Sequence, residues 1–149
     1  MKLEGEFVVP LSRQEVWTML NDPEVLQRAI PGCKELTETD DGYSAKVGVA
    51  IGPVKATFSG DVTFTDVTEF HGYTLMGQGS GGVAGFAKGS AKMLLEEREE
   101  GTAILYDVDA SVAGKLAQLG NRLIASTSKK LAAQFFDELN VIAQERAAA

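Results

Sequence analysis

Residues 54–67 read VKATFSGDVTFTDV, and this stretch decides the fold. Apolar or small residues occupy every second position from Val54 to Phe64, and lysine, threonine, serine or aspartate stands between them. Successive side chains of a strand point to opposite faces of a sheet, so the pattern predicts one long strand with a buried face and a wet face. A wet face is typical of antiparallel sheets.

Further strand patterns lie on both sides of this segment. They are separated by turn-forming sequences such as Asp40-Asp41-Gly42, Gly52-Pro53 and Glu99-Glu100-Gly101. Including the first segment, the six strands predicted in this part of the chain cover residues 33–39, 43–51, 54–67, 73–79, 87–97 and 102–112.

The hydrophobic period changes from two to 3.6 after the last of these strands. Apolar residues then recur at steps of three or four, which predicts a helix from about Lys115 to Arg146. At 1.5 Å per residue this helix would be about 45 Å long, and it needs a large surface to lie on. The apolar face of the sheet needs a cover, and this helix is the element able to provide it.

The N-terminal region adds one strand and two short helices. Residues 2–9 alternate and predict a strand. Ser12 and Glu15 form a capping-box sequence, which starts the first helix. Asp22 and Pro23 start the second, as N-cap and first helical residue. Segregated strands and helices predict the α+β class, with two short helices after strand 1.

The composition limits the functions that are open to this protein. A length of 149 residues suits a single domain over residues 1–149, and the net charge of −7 argues against nucleic-acid binding. Cys33 is the only cysteine, so an internal disulfide is excluded, and with His71 it makes no metal-ligand cluster. Acidic residues interrupt the N-terminal apolar run, and no stretch approaches the roughly 20 apolar residues that span a bilayer. We expect a cytoplasmic protein, at most peripheral at the inner face of the cell membrane.

The predicted inward faces of the strands carry many small residues. Protein interiors pack to a density of about 0.75, so small side chains on a concave sheet leave unfilled volume beneath the helix. Glycines also mark bulges where long strands bend, and the two interpretations are compatible. An apolar cavity with adaptable methionines suits an apolar ligand. We expect the ligand to contact Phe58, Gly60, Val62, Phe64, Met76, Gly89, Ala91, Met93, Val108, Leu123, Thr127 and Leu131.

The predicted cavity lacks a catalytic constellation. No Asp, Glu, His, Lys or Arg falls on the inward positions of residues 54–64. The candidate polar groups are hydroxyls without a neighbouring base, and they belong to Tyr43, Tyr73, Tyr106, Thr127 and Ser128. We therefore expect no catalytic residue, no metal and no covalent cofactor.

A glycine-rich stretch at residues 77–82 reads GQGSGG and matches the GxGxxG pattern. The phosphate-binding mechanism needs a helix after the glycines, but strands are predicted on both sides here. The pattern therefore favours a loop, either a plain connection or a mobile rim of the cavity mouth that exposes Val83 and Phe86.

Three basic residues, Lys115, Arg122 and Lys129, are spaced by seven and share one face of the predicted long helix. This face is either simply solvated, or it contacts anionic lipid or an acidic partner. In the second case, we expect it to form one surface with Val83 and Phe86 beside the cavity mouth.

Three segments carry a resemblance to a known family. They are Ala29-Ile30-Pro31-Gly32-Cys33, Gly52-Pro53 and Gly114-Lys115-Leu116-Ala117-Gln118-Leu119-Gly120. With the order of the elements, they make the chain similar to the carbon monoxide dehydrogenase G-subunit (CoxG) family of the START-like (SRPBCC) helix-grip superfamily. The resemblance implies a seven-stranded sheet that grips the C-terminal helix around a cavity. It also implies an accessory role, commonly described as membrane recruitment, for a carbon monoxide dehydrogenase-type molybdenum hydroxylase.

Three functions follow from the cavity and the resemblance. The first is a carrier of an apolar molecule, such as a quinone or another lipid, for a membrane-linked redox enzyme. The second is a recruitment or assembly factor that binds the molybdenum hydroxylase and needs no ligand. The third is a small enzyme of the cyclase or hydratase kind.

Overall fold

The computed structural model describes residues 1–148. These residues form seven strands and four α-helices, and a single 3₁₀ turn over Gly82–Ala84 follows β5. The elements in chain order are β1 (Lys2–Val9), α1 (Arg13–Leu20), α2 (Pro23–Ala29), β2 (Cys33–Glu38), β3 (Gly42–Ile51), β4 (Val54–Thr68), β5 (Gly72–Ser80), β6 (Phe86–Arg98), β7 (Gly101–Ala113), α3 (Lys115–Gln118) and α4 (Asn121–Ala148).

The seven strands form one antiparallel sheet in the order β1-β7-β6-β5-β4-β3-β2. The long alternating strand predicted from residues 54–67 is β4, and its register places Val62 opposite Tyr43 on β3 and Gly77 on β5. Residues directly opposite each other share a face, so these three positions all lie on the concave side. The predicted α+β class and the seven-stranded sheet are confirmed.

Both short helices begin where their capping residues predict. The Ser12 hydroxyl accepts a hydrogen bond from the Glu15 amide, and the Glu15 carboxylate accepts one in return from the Ser12 amide. The Asp22 carboxylate accepts a hydrogen bond from the Glu24 amide at the start of α2. Local capping therefore fixes where α1 and α2 begin.

The densest packing lies at one end of the sheet. The largest fully buried side chains in this region include Met19 and Leu20 of α1, Leu139 of α4 and Ile104 of β7. The C-terminal half of α4 is therefore held in the core. Toward the other end, Val62, Val108 and their concave-face neighbours are only partly buried.

The C-terminal helical region departs from the sequence prediction at its start. A single helix from about Lys115 is wrong, because α3 ends at Gln118 and α4 begins at Asn121. Gly120 lies between them with φ +92°, a backbone conformation that glycine adopts without steric cost. α4 itself has 28 residues and is about 42 Å long.

Candidate functional site

A cavity lies between the concave face of the sheet and the helices. Its volume is about 410 Å³, and 18 residues line it. The helical side contributes Leu20 of α1, Leu26 of α2 and three α4 residues, Ala132, Phe135 and Phe136. None of the 18 lining residues is charged, and the tyrosine hydroxyls are their only polar side-chain groups. The cavity is therefore suited to an apolar molecule.

An open groove continues the cavity along the concave face of the sheet. It has a volume of about 370 Å³, and it shares Val62, Leu75 and Val108 with the cavity lining. The cavity and the groove therefore meet along these three side chains. The rest of the groove wall consists largely of small residues, namely Gly77, Gly79, Ala87, Gly89, Ala91 and Ala110.

A larger depression of about 620 Å³ lies on the outer face of the sheet. Its lining includes Asp61, Lys88 and Asp109, all exposed to solvent. Ligand sites are usually apolar concavities with few polar groups, whereas this depression is an open, charged surface. The interior cavity is therefore the better candidate site.

Six of the twelve predicted contact residues border the interior space. Val62, Phe64, Met93 and Val108 line the cavity. Gly89 and Ala91 line the groove instead. The structure brings these six residues together on the concave face of the sheet. Their contact with a ligand stays a prediction.

The inward placement predicted for Met76 is wrong. Its side chain lies on the outer face and is 55% exposed, while Leu75 points into the cavity. Leu75 is opposite Phe64 and Ala91, so the register of β5 assigns it to the concave side. Because residues 75 and 76 are both apolar, the sequence alone does not show which of the two points to the concave face.

Phe58 and Gly60 also lie outside the lining of the cavity and the groove. The Phe58 ring lies against Gly81, with its Cζ atom 2.8 Å from where a Cβ on that glycine would lie. Phe58 therefore supports the glycine-rich loop at the rim. Gly60 is opposite Gly79, and a side chain on Gly60 would collide with the Gln78 carbonyl. Gly60 therefore serves the close approach of β4 and β5.

The predicted helical contacts Leu123, Thr127 and Leu131 are half-buried and lie outside the lining. At the start of α4, Leu123 instead lies against Gly52 in the β3–β4 turn. Its Cδ2 methyl group is 3.1 Å from the position that a Cβ atom on Gly52 would occupy. Other elements supply apolar lining residues that the sequence did not predict. These are Leu3, Leu20, Leu26, Ile30, Leu36, Ala45 and Val47.

An aromatic cluster closes the deep end of the cavity. The Phe64 ring meets Tyr43 at a centroid distance of 5.6 Å and Tyr73 at 5.1 Å, both edge to face. The Trp17 ring meets Tyr73 from another side at 5.6 Å. Tyr43, Phe64 and Tyr73 also border an outer cleft that contains Asp40. The cluster therefore separates the apolar cavity from an acidic surface.

Burial affects the acidity of two tyrosines in this cluster. It raises the pKa of Tyr73 well above its usual range, and the nearby Tyr43 phenol adds to the effect. It also raises the pKa of Tyr43, with smaller contributions from the charges of Glu38 and Asp22. The Tyr43 hydroxyl donates a hydrogen bond of 3.4 Å to the Asn21 carbonyl.

The glycine-rich stretch at residues 77–82 is only partly a loop, because residues 77–80 belong to β5 and the connection to β6 covers residues 81–85. Val83 lies in the 3₁₀ turn of this connection, and Phe86 begins β6. Val83 is 85% exposed and Phe86 is 39% exposed. The loop lies against the start of α3, because the Gly85 Cα atom is 2.7 Å from where a Cβ on Gly114 would lie. The exposed apolar tips therefore lie near Lys115 and the end of the groove at Gly79 and Ala87.

The predicted basic residues are all exposed, but they do not share one helix. Lys115 belongs to α3, whereas Arg122 and Lys129 belong to α4 with the exposed Lys130. None of the four takes part in an ion pair within residues 1–148. The sequence from Ala110 to Phe136 contains no acidic residue, so this segment is positive within an acidic chain.

Other chemistry-bearing groups stand apart from the cavity. The Cys33 thiol donates to the Glu35 carbonyl at 3.4 Å, and burial raises its pKa, so the thiol stays protonated. Within the described residues, no group of three or more His, Cys, Asp and Glu side chains is arranged to hold a metal ion. No helix of residues 1–148 is long and apolar enough to cross a membrane.

A seven-stranded antiparallel sheet wrapped around a long C-terminal helix, with a cavity between them, defines a helix-grip protein. The family model of the carbon monoxide dehydrogenase G subunit (CoxG) matches residues 5–143, and the chain belongs to this family. The predicted resemblance is thereby confirmed. Membership connects the chain with carbon monoxide dehydrogenase in an accessory role.

Several solved structures share this fold. A conserved protein from Geobacillus kaustophilus is 29% identical, with a TM-score of 0.91 over 97% of this chain and 96% of that one. An uncharacterized protein from Rhizobium leguminosarum is 14% identical, with a TM-score of 0.73 over 97% and 95%. The protein CV1439 from Chromobacterium violaceum is 12% identical, with a TM-score of 0.70 over 95% and 96%. No curated protein has a matching sequence.

Proposed function

We propose that this protein is a non-catalytic accessory factor of a carbon monoxide dehydrogenase-type molybdenum hydroxylase and that it carries an apolar ligand, a quinone or another lipid. The observation that carries the proposal is the cavity of about 410 Å³ without a charged lining residue. Each CH₂ group buried there contributes about 0.8 kcal/mol to binding, whereas water finds few hydrogen-bonding partners. The cavity and groove together accommodate a head group and a tail.

The character of the lining favours carriage of a ligand over a cyclase or hydratase reaction. General acid–base catalysis needs a proton acceptor within hydrogen-bond reach of the substrate. Within the described residues, the cavity lining offers three tyrosine hydroxyls and no Asp, Glu, His, Lys or Arg. A molecule held there is therefore bound and released unchanged.

The surface at the end of the groove supports contact with a membrane. Val83 and Phe86 offer exposed apolar groups, and Lys115, Arg122 and Lys129 lie on the neighbouring helices. Each basic residue contributes about 1 kcal/mol near anionic lipid. An apolar ligand would then pass between bilayer and groove without crossing water. The net charge of −7 keeps this contact weak and reversible.

Ligand analysis of the purified protein tests the proposal. Native mass spectrometry followed by solvent extraction should recover one apolar molecule per chain. Titration should show saturable binding of a long-tailed quinone and much weaker binding of the same quinone head without a tail. An empty protein that binds neither quinone would instead support a recruitment factor without a ligand, and equal affinity for both quinones would exclude an apolar carrier.

A further inference from the structure

The wall of the cavity offers a polar head group little to bind. Among its lining residues, the only polar side-chain groups are the hydroxyls of three tyrosines. The Tyr43 hydroxyl donates to the Asn21 carbonyl at 3.4 Å, and the Tyr106 hydroxyl lies over Gly5 of the edge strand β1, where a Cβ atom would collide with it. Tyr73 borders the outer polar cleft as well as the cavity. Within residues 1–148, these contacts therefore direct none of the three hydroxyls toward a bound molecule.

A polar head group is destabilised in such a cavity. An uncharged carbonyl or ester loses its hydrogen bonds to water on entry and regains none from an apolar wall, and an ionised group loses still more. A hydrocarbon chain is stabilised at the same place, because removal of apolar surface from water is favourable. The cavity is therefore a site for the tail of an amphiphilic molecule.

The two ends of the interior space differ in their access to water. At the deep end, the Tyr73 ring packs edge to face against Phe64 and Trp17, and Tyr73 is only 6% exposed. At the other end, the open groove reaches Gly79 and Ala87. Tyr73 and Gly79 are six residues apart on β5, which corresponds to about 20 Å at the usual rise of a strand. A head group at the rim therefore keeps its contact with water, whereas one in the cavity beside Tyr73 does not.

We infer that the bound molecule is an amphiphile that lies tail-first: the end of its apolar tail occupies the cavity beside Tyr73, the tail continues along the groove, and its head group stays at the rim near Phe86. Small residues of the groove, including Gly77, Gly89 and Ala91, leave room for the chain between the rim and the cavity. The inference rests on the proposed function and adds to it the orientation of the ligand and the end of the ligand that is selected. A head group at the rim is within reach of a partner enzyme while the tail stays bound.

Two spin-labelled probes test the orientation. The methyl esters of 5-doxyl-stearic and 16-doxyl-stearic acid have the same neutral head and the same chain, but the nitroxide lies near the head in the first and near the tail end in the second. Trp17 is the only tryptophan, and its ring centroid lies 5.6 Å from that of Tyr73, so a nitroxide at the deep end quenches its fluorescence. At saturation, we expect the 16-doxyl ester to quench Trp17 several-fold more strongly than the 5-doxyl ester.

The EPR spectrum of the nitroxide distinguishes failure of the inference from failure of the proposed function. Immobilisation of the nitroxide reports binding, whatever the orientation of the probe. Mobile spectra for both probes, without quenching, would overturn the proposed function and the inference with it. Immobilised probes that quench Trp17 equally or not at all, or stronger quenching by the 5-doxyl ester, would overturn the inference while leaving a carrier in place.

A tryptophan at the rim provides the matched control. In the double variant Trp17→Phe and Phe86→Trp, the only tryptophan stands at the start of β6, and the order of quenching should reverse. An unchanged order would overturn the inference.

A water-soluble nickel chelate gives a second measurement on the wild type. It should relax the bound 5-doxyl ester, whose nitroxide lies near the rim, more strongly than the bound 16-doxyl ester. This measurement needs no substitution, so it decides the orientation even if the double variant does not fold. Equal relaxation of the two bound probes, or stronger relaxation of the 16-doxyl ester, would overturn the inference.

Discussion

Arg28 on α2 and Glu145 on α4 are joined by two hydrogen bonds of 2.7 and 3.1 Å between guanidinium and carboxylate. The same guanidinium donates a third bond of 2.7 Å to Glu138. α2 supplies Leu26 to the cavity lining, and Ile30, the residue that follows the end of α2, lines the cavity as well. This exposed ion pair therefore holds one wall of the cavity against the long helix.

Removing the guanidinium should loosen this wall. In Arg28→Gln, we expect faster amide hydrogen exchange in α2 and faster release of a bound quinone, with the rest of the sheet unchanged. High salt should have the same effect on the wild type, because the Debye length falls to about 3 Å at 1 M. Lys46→Gln breaks another exposed ion pair, with Glu35 between β2 and β3, and serves as the control. Unchanged exchange in α2 would contradict the prediction.

Acid should weaken the same contact. The hydrogen bonds from Arg28 lower the pKa of Glu145 below its ordinary value of about 4.3. The contribution of this pair is therefore complete above that ordinary value and is lost as the pH falls through the lower, folded-state pKa. Protection factors in α2, corrected for intrinsic exchange, should drop on acidification in the wild type. In Arg28→Gln this drop should be smaller, and an equal drop in both proteins would contradict the prediction.

Filling the groove should block the tail of a ligand without unfolding the protein. A Cβ on Gly77 would meet only ordinary contacts, 3.6 Å from the Val62 Cγ2 atom. Gly77→Leu should therefore keep or slightly raise the free energy of unfolding, since glycine weakens a strand by about 0.5–1 kcal/mol. Displacing two CH₂ groups of a tail should lower affinity about tenfold.

Calorimetric titration and urea unfolding measure the two effects. Ser59→Leu adds the same side chain to the outer face of the neighbouring strand β4, where Ser59 is exposed and lines neither the cavity nor the groove, and should leave affinity unchanged. Equal affinities of Gly77→Leu and Ser59→Leu for a long-tailed quinone would show that the groove holds no tail.

Alkaline pH should destabilise the protein through Tyr73. Its folded-state pKa is raised by burial, so the stabilising contribution is complete below the ordinary value of about 10 and is lost as the pH rises above it. The free energy of unfolding should fall there by as much as about 1.4 kcal/mol per pH unit for this one group. Urea unfolding between pH 9 and 11 should show a shallower fall in Tyr73→Phe than in the control Thr74→Val, which removes a hydroxyl from the outer side of the same strand, opposite Lys92. Parallel curves would contradict the prediction.

The sheet could be predicted from the sequence because its signals are local and repeated. The strict alternation of residues 54–64 permits only one assignment of faces, and β4 follows it. The capping box at Ser12 and the Asp22-Pro23 pair likewise fix the starts of α1 and α2 by contacts within one turn. Such signals need no knowledge of the tertiary structure.

The rest of the site depends on how distant elements meet. Leu36 and Ala45 are directly opposite each other, and they line the cavity because β2 pairs with β3 and packs against α2, which no local pattern specifies. Leu75 and Met76 are both apolar, so the face of β5 is fixed only by its pairing with β4 and β6. In the sequence, Gly120 is compatible both with the interior of a helix and with a break between two helices. Its positive φ in the structure shows that it is a break.

Charge reversal at the basic residues should weaken contact with anionic membranes. Changing Lys115, Arg122 and Lys129 together to Glu removes three cations from a segment that has no acidic residue between Ala110 and Phe136. At about 1 kcal/mol for each basic residue, we expect binding to anionic vesicles to fall by roughly a hundredfold. Co-sedimentation with phosphatidylserine-containing vesicles measures the effect, and neutral vesicles should bind both proteins equally weakly.

A second triple variant separates local charge from total charge. Lys2, Lys46 and Lys92 are exposed on the outer face of the sheet, and changing them to Glu alters the net charge by the same amount. Because these residues lie away from Val83 and the groove, this variant should retain most of the binding to anionic vesicles at physiological ionic strength, where the Debye length is about 8 Å. Equal losses in the two variants would mean that the membrane senses only net charge. Unchanged sedimentation of the first variant would leave Lys115, Arg122 and Lys129 as a solvated surface without a role at the membrane.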